Sequence, residues 1–216
     1  MKNINPKIVV FKKHTKEYQK ILKEKYPEFK PNLTPKQLFE LGSFHDQGGY
    51  FRPINSMFFK NKLLKNQHKE HMKSGNCLHN VDEKYLITPN NILDKNKNKY
   101  KVKAGTSLED WEEKGWIIEQ DPYGWVQWYC RFCDGRRSDD DDRQIKRWIK
   151  FAGEKSGRFI RRLVKMIKNN KSSYNDENIS PVIRQSLQHW AYQLTEEDYN
   201  KIKNTCLLYT SDAADE

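Results

Sequence analysis

Side chains able to bind or act on a phosphorylated or nucleobase substrate crowd one stretch of this sequence. Asp110, Asp121, Gln127, Arg131, Arg136 and Arg137 stand close in the chain to Trp125 and Trp128. Guanidinium groups grip phosphate with two prongs, and carboxylates beside apolar rings can serve as acids or bases, so these six could line an enzyme pocket. Downstream, Arg143, Lys146, Arg147 and Lys150 recur as Arg158, Arg161, Arg162 and Lys165 at an offset of 15 residues. At about 100° per residue each set of cations takes one helix face. Ile145, Trp148, Ile149 and Ala152, then Ile160, Leu163, Val164 and Ile167, take the opposite one. Two short helices joined by the glycine-bounded "GEKSG" would present a shared basic surface over a shared core. Such a surface suits nucleic acid, gripped through its phosphates with little reading of sequence. The second set should carry more of the affinity. Asp139 and Asp142 can pair with Arg143 and Lys146 at i, i+4, whereas the second helix contains no acid.

Other constellations carry less. Cys130 and Cys133 form a Cys-x-x-Cys, and Cys77 with His79 could complete a zinc set. Yet both residues of the pair fall inside an expected helix, and no second Cys-x-x-Cys exists. His68 and His71 of "HKEH" lack a third partner, and a thioredoxin-like role would need a βαβ context that the sequence does not offer. His189 beside Trp190 reads as a packed or surface histidine. No Ser/His/Asp or Cys/His set can be assembled, and there is no Walker-type or Rossmann glycine loop, so neither a metal nor a cofactor is expected.

The elements that must hold these residues are punctuated clearly in places. The first 33 residues form a lysine-rich extension with one helix around Glu17 to Tyr26. In "TPKQLFELG" Thr34 and Gln37 form a capping box, Pro35 takes the first helical position and Gly42 ends the helix. The glycines and proline of "SFHDQGGYFRPI" demand a loop, and Ser56 to Met72 returns to helical spacing. Residues 74–103 read as a polar loop. Residues 105–194 are the best-ordered centre. There Thr106 and Glu109 cap one helix that Gly115 ends, Asp121 and Pro122 open the next, and Ser138 with Asp141 opens a third. The run Asp139 to Asp142 sits on that third helix's first turn, where acids suit the helix dipole. Ser180 and Pro181 start a further helix, and Thr195 with Asp198 caps another. "GWIIEQ" is the lone strand candidate.

The final stretch, "CLLYTSDAADE" from Cys206 to Glu216, resembles the translation of a sequencing-library adapter and is read as a non-native tail packing against nothing. Before it, residues 34–204 read as a single helical domain. The expected fold class is mainly α: one compact domain of about six to eight helices, with a long polar loop and little or no sheet. The longest apolar run near the start is Ile8 to Phe11, far short of a signal-peptide core or a membrane span, so the expectation is an intracellular protein, in cytoplasm or nucleus, without a membrane partner. The formal charge of +11 and a pI near 9.3 favour a polyanionic partner, although stretches such as "LDKNKNKYKVK" contribute much of the lysine.

Four strings, "TPKQLFELGSF…GGYFRPI", "AGTSLEDWEEKGWI…DPYGWVQWYCRF", "GRRSDDDDRQIKRW" and "ISPVIRQSLQHWAY", resemble a widespread family of uncharacterised function found in algae and other protists, some animals, bacteria and large DNA viruses. The resemblance covers most of Thr34 to Tyr199 and implies one folded unit. It carries over no activity. In that family the position of Cys133 is usually aromatic, which counts against zinc.

Nucleic-acid binding through the eight cations is therefore the leading expectation. An enzyme using the six-residue pocket, or a protein-interaction scaffold, is the alternative. A basic outer face would favour binding, and a deep pocket lined by the six would favour catalysis. Within "DPYGWVQWYCRF", Trp125, Trp128, Tyr129 and Phe132 fall at i, i+3, i+4, i+7, a stripe best used as core. Truncating Trp128→Ala should then lower the free energy of urea unfolding by about 3–5 kcal/mol. Unchanged stability with weakened ligand binding would mark the stripe as a surface platform instead.

Overall fold

The computed structural model describes residues 8–10, 16–45, 50, 77, 78, 80–86, 94–106, 108–116, 118 and 120–211, and the chain is mainly helical. In chain order the longer elements are β1 (Ile8–Val10), α1 (Lys16–Lys25), α2 (Pro35–Glu40), α3 (Leu108–Glu113), α4 (Trp125–Cys133), β2 (Arg136–Ser138), α5 (Asp141–Ala152), α6 (Arg158–Asn169), α7 (Pro181–His189) and α8 (Glu196–Ser211). β1 and β2 pair antiparallel, with Ile8 opposite Ser138 and Val10 opposite Arg136. The strand expected in "GWIIEQ" is not formed at Trp116, Ile118 or Gln120.

Local signals place some of these ends well. Thr34 and Gln37 make the expected capping box on α2, with the Gln37 amide donating to the Thr34 hydroxyl at 3.2 Å. Asp198 donates its amide to the Thr195 hydroxyl at the start of α8. Two other signals were misread. Asp121 does not cap α4, because "DPYG" closes as a turn, the Gly124 amide donating to the Asp121 carbonyl at 2.8 Å. Gly124 then caps α4 at φ +76°, where a Cβ would lie 2.4 Å from the Trp111 ring. Only glycine suits that conformation and that contact. Ser138 ends β2 rather than capping α5, whose N-cap is Asp140.

α4 sits at the centre of the core. Trp128 is fully buried and Trp125, Tyr129 and Phe132 nearly so, as the stripe predicted, but Val126, Gln127 and Cys130 are buried too. α5 brings Ile145, Trp148 and Ala152 to the same core and α6 brings Ile160, Leu163, Val164 and Ile167, with α6 packed between α5, α7 and α8. The "GEKSG" turn between those helices is tight. Its Gly157 amide donates to the Gly153 carbonyl at 2.8 Å, and a Cβ on Gly157 would meet Gly153 backbone atoms at 2.5 Å.

Residues expected to lie in an extension or a polar loop instead help to close the core. Leu22, Tyr26, Phe29 and Leu33, all within the lysine-rich extension, pack on the core. Leu78, Val81 and Leu86, from the expected polar loop, are buried in it, because short turns at Glu83–Tyr85 and Lys95–Lys97 fold that stretch inward. The helix read over Ser56 to Met72, His68 with His71, and His79 lie outside the described residues. α8 carries helical backbone past Thr205 as far as Ser211, while the side chains of Cys206 to Glu216 also lie outside them.

Asp142 clasps α1 to α5. It accepts from the Tyr26 hydroxyl and pairs with Lys146 at 2.6 Å and Lys25 at 3.3 Å. The Lys146 contact first, then Tyr26, hold its carboxyl down to about 2 from an ordinary 3.8. A carboxyl depressed by folding contributes stability that is fully present above its unfolded value and is lost as pH falls through its folded one. Asp142→Asn should therefore weaken the fold at neutral pH and flatten the acid limb of stability between about pH 4 and about pH 2. Superimposable acid-unfolding curves for the two proteins in that window would rule the clasp out as a contributor.

Candidate functional site

None of the six residues expected to line a pocket borders the cavity described below; Asp121, Gln127 and Arg137 are buried, and Asp110, Arg131 and Arg136 are partly buried. Asp121 is fully buried between two arginines. Arg136 grips it with two prongs at 2.8 and 2.6 Å, and Arg131 donates at 2.7 Å to its Oδ1 and at 2.5 Å to the Gln120 carbonyl. Gln127, also fully buried, accepts the Tyr123 amide at 3.0 Å and so holds the turn that enters α4. Arg137 lies over the Phe132 ring, 4.1 Å from its centroid, and donates to the Phe132 carbonyl at 2.8 Å. Asp110 is half-buried on α3. Asp121 pairs with Arg131 and Arg136, and the three hold "DPYG", α4 and β2 together.

The aspartate run divides its labour. Asp140 receives Arg143 at 2.5 and 2.8 Å and the Gln144 amide at 2.9 Å. Arg143 thus pairs at i, i+3 with Asp140, not with Asp139, which is exposed. Asp141 accepts the Trp128 indole at 2.9 Å and the Ser138 hydroxyl at 3.1 Å. Burial raises its pKa, and the Trp128 hydrogen bond opposes that rise.

A cavity of about 1080 Å³ opens elsewhere, where the first turn of α4, the start of α3, the basic faces of α5 and α6, and the end of α7 meet. Trp111, Trp116, Trp125, Phe151, Phe159 and Trp190 supply its aromatic wall. Phe151 and Phe159 stack across the "GEKSG" turn at 3.9 Å between centroids, and Phe151 stacks on Trp190 at 4.9 Å. Trp116 is 55% exposed. Arg147 lies 5.3 Å over the Trp190 ring and Arg158 5.4 Å over Phe159.

The eight cations singled out by the 15-residue repeat divide at this cavity. Arg143, Arg147, Lys150 and Arg158 line it, whereas Lys146, Arg161, Arg162 and Lys165 do not. Arg161 instead donates to the Lys155 carbonyl at 3.0 Å. Arg143 and Lys146 are neutralised by Asp140 and Asp142. Among the described residues no carboxylate lies within ion-pairing reach of Arg147, Lys150 or Arg158, and none lines the cavity. Burial, followed by repulsion from Arg143, pulls the Arg147 guanidinium down to about 10, which still leaves it charged at neutral pH. It is a partly desolvated cation whose hydrogen-bond partner is the neutral Gln144 side chain, at 2.9 Å.

His189 reaches the cavity wall but is held for packing, stacked on Phe44 at 5.0 Å with Nε2 2.6 Å from the Ser43 carbonyl oxygen. Cys77, Cys130 and Cys133 are free thiols. Burial pushes Cys133 up to about 12 and a hydrogen bond with Cys130 raises Cys77, the reverse of what a free thiolate nucleophile needs. Among the described residues no group of three or more His, Cys, Asp or Glu side chains could hold a metal. No helix there is long and apolar enough to cross a membrane. Comparison with known protein families, curated proteins and solved structures returned no match.

Sequence reasoning missed the cavity because its wall is assembled from stretches far apart in the chain. The usable signal was the pairing of cations with exposed-face aromatics, Arg147 four residues before Phe151 and Arg158 beside Phe159. The Asp121 network makes a separate claim. Asp121→Ala strands two partly buried guanidinium groups and should cost about 3–5 kcal/mol of stability, read as a lower urea midpoint at unchanged slope. A loss below about 1 kcal/mol would mean that these pairs behave like solvent-screened surface pairs.

Proposed function

We propose that the protein binds nucleic acid, with the phosphates tracking Arg147, Lys150 and Arg158 along the rim of the aromatic cavity. The observation that carries this reading is the meeting, at one cavity without a carboxylate in its described wall, of nine Phe, Tyr and Trp rings and cations that lack acidic partners. A positive groove faced with aromatic side chains is the recurring solution for holding a polynucleotide without reading its sequence. The formal charge of +11 supports the same partner by drawing a polyanion toward the surface. Asp121, Arg131 and Arg136 are engaged with one another away from the cavity, which argues against the rival pocket built on them.

Within this reading the cavity cations outrank those on the outer face of α6. Arg158 is exposed, so Arg158→Ala should leave the melting temperature nearly unchanged. It should weaken binding and lower the magnitude of d log K/d log[salt] by about 0.9 on duplex DNA or about 0.7 on a single strand, one phosphate's share. Arg147→Ala should lower the salt slope by a similar amount, and Arg162→Ala, away from the cavity, clearly less. Fluorescence anisotropy with labelled DNA and RNA oligonucleotides across a salt series makes the measurement. Absence of binding by the wild-type chain at low salt would end the proposal.

A further inference from the structure

We infer that Phe151 is a positioning residue for the bound strand: stacked on both Phe159 and Trp190, it sets the two guanidinium groups that those rings carry, Arg158 and Arg147, against the phosphate backbone. The inference rests on the nucleic-acid reading and adds how the site holds its cations and which residue decides it.

The starting observation is how the arginines are restrained. Arg131 and Arg136 are tied to Asp121 and Arg143 to Asp140, and each of those pairs cancels charge. Among the described residues no carboxylate lies within ion-pairing reach of Arg147 or Arg158. What each has instead is a ring. Arg147 lies 5.3 Å from the Trp190 centroid and Arg158 5.4 Å from that of Phe159. An aromatic face attracts a guanidinium without neutralising it, and leaves its N–H fork able to grip a phosphate with two prongs.

The two carrier rings belong to different elements. Phe159 sits on the first turn of α6 and Trp190 just past the end of α7. Phe151, on the last turn of α5, joins them, 3.9 Å from Phe159 at 16° between planes and 4.9 Å from Trp190 at 21°. Its faces are therefore engaged, and it can serve a ligand only through its neighbours. Arg147 precedes Phe151 by four residues on α5, so the two share a helix face, and it donates to the neutral Gln144 side chain at 2.9 Å. Two backbone contacts keep the stack in place. The Gly157 amide donates to the Gly153 carbonyl at 2.8 Å and folds α6 back on α5, while the Trp148 indole donates to the Trp190 carbonyl at 2.7 Å and fastens the end of α7. Cations held in advance in this way spare a phosphate ligand the cost of ordering long side chains.

The probes are a fluorescein-labelled oligothymidylate and an oligomer of equal length and charge in which every base is replaced by an abasic site, read by anisotropy across a salt series. Phe151→Leu keeps an apolar side chain and removes the ring between the carriers. In the folded variant both oligomers should bind about tenfold more weakly. The magnitude of d log K/d log[salt] should fall by more than the roughly 0.7 that one phosphate contributes on a single strand, since both cations lose their setting. Phe151→Tyr, which retains the ring, should restore the wild-type slope. In a background carrying both Arg147→Ala and Arg158→Ala, Phe151→Leu should weaken binding no further. Should Phe151→Leu fail to fold, Phe159→Leu replaces it; it releases Arg158 alone and should lower the slope by about 0.7 on both oligomers. An unchanged salt slope in the folded variant, a loss confined to oligothymidylate, or a further loss in the doubly substituted background would overturn the inference while leaving phosphate binding intact. Binding of neither oligomer by the wild-type chain would overturn the nucleic-acid reading itself.

Discussion

A helix that buries one face can rest on a core, but α4 hides Trp125, Val126, Gln127, Trp128, Tyr129, Cys130 and Phe132 alike, and so it has to be wrapped. The rest of the chain is arranged to do this. Phe29 sets its ring against Trp128, Phe132 and Trp148, with centroids 6.3, 6.0 and 5.3 Å away. Leu33 accepts the Tyr129 hydroxyl at 2.8 Å, and Trp148 reaches the Trp190 carbonyl from α5. Hydrophobic burial is non-directional and sets the scale of the stabilisation. The hydrogen bonds from the aromatic side chains decide which segment covers which side, because a mispacked segment would strand a phenol or an indole.

The same wrapping sorts the charges. Asp121, which the fold draws inward, is matched with Arg131 and Arg136, and Asp140 with Arg143, while at the surface Asp142 pairs with Lys146 and Lys25. Burying an ion without its partner would cost several kcal/mol, so this matching is a condition of folding rather than a source of binding. The cations left over gather at the cavity and on the outer face of α6. A net charge of +11 is therefore a poor guide by itself, since what matters to a ligand is the charge that remains after the interior has been neutralised.

This sorting explains what the sequence makes legible. The helices α4, α5 and α6 follow from periodicity, and α2, α3 and α7 from punctuation, since Thr34, Pro35, Gly115 and Pro181 act within a few residues of where they stand. Charge partners act at a distance that spacing does not encode. Asp121 looked like a cap and Arg131 like a ligand grip because nothing local reveals that each is the other's partner. Leu78, Val81 and Leu86 were hidden in a lysine- and asparagine-rich stretch whose composition resembles a loop, although three apolar side chains suffice to pin it. The cavity was least legible, because its wall joins α3, α4, α5, α6 and α7. Only the cation-aromatic neighbours on α5 and α6 hinted at it.

The position of the cavity also follows from the wrapping of α4. The helix is enclosed along most of its length, and the cavity opens at its first turn, where Tyr123, Trp125 and Val126 reach the wall. Closing the rest of the helix leaves this end as the place where rings carried by α3, α5, α6 and α7 meet around open volume.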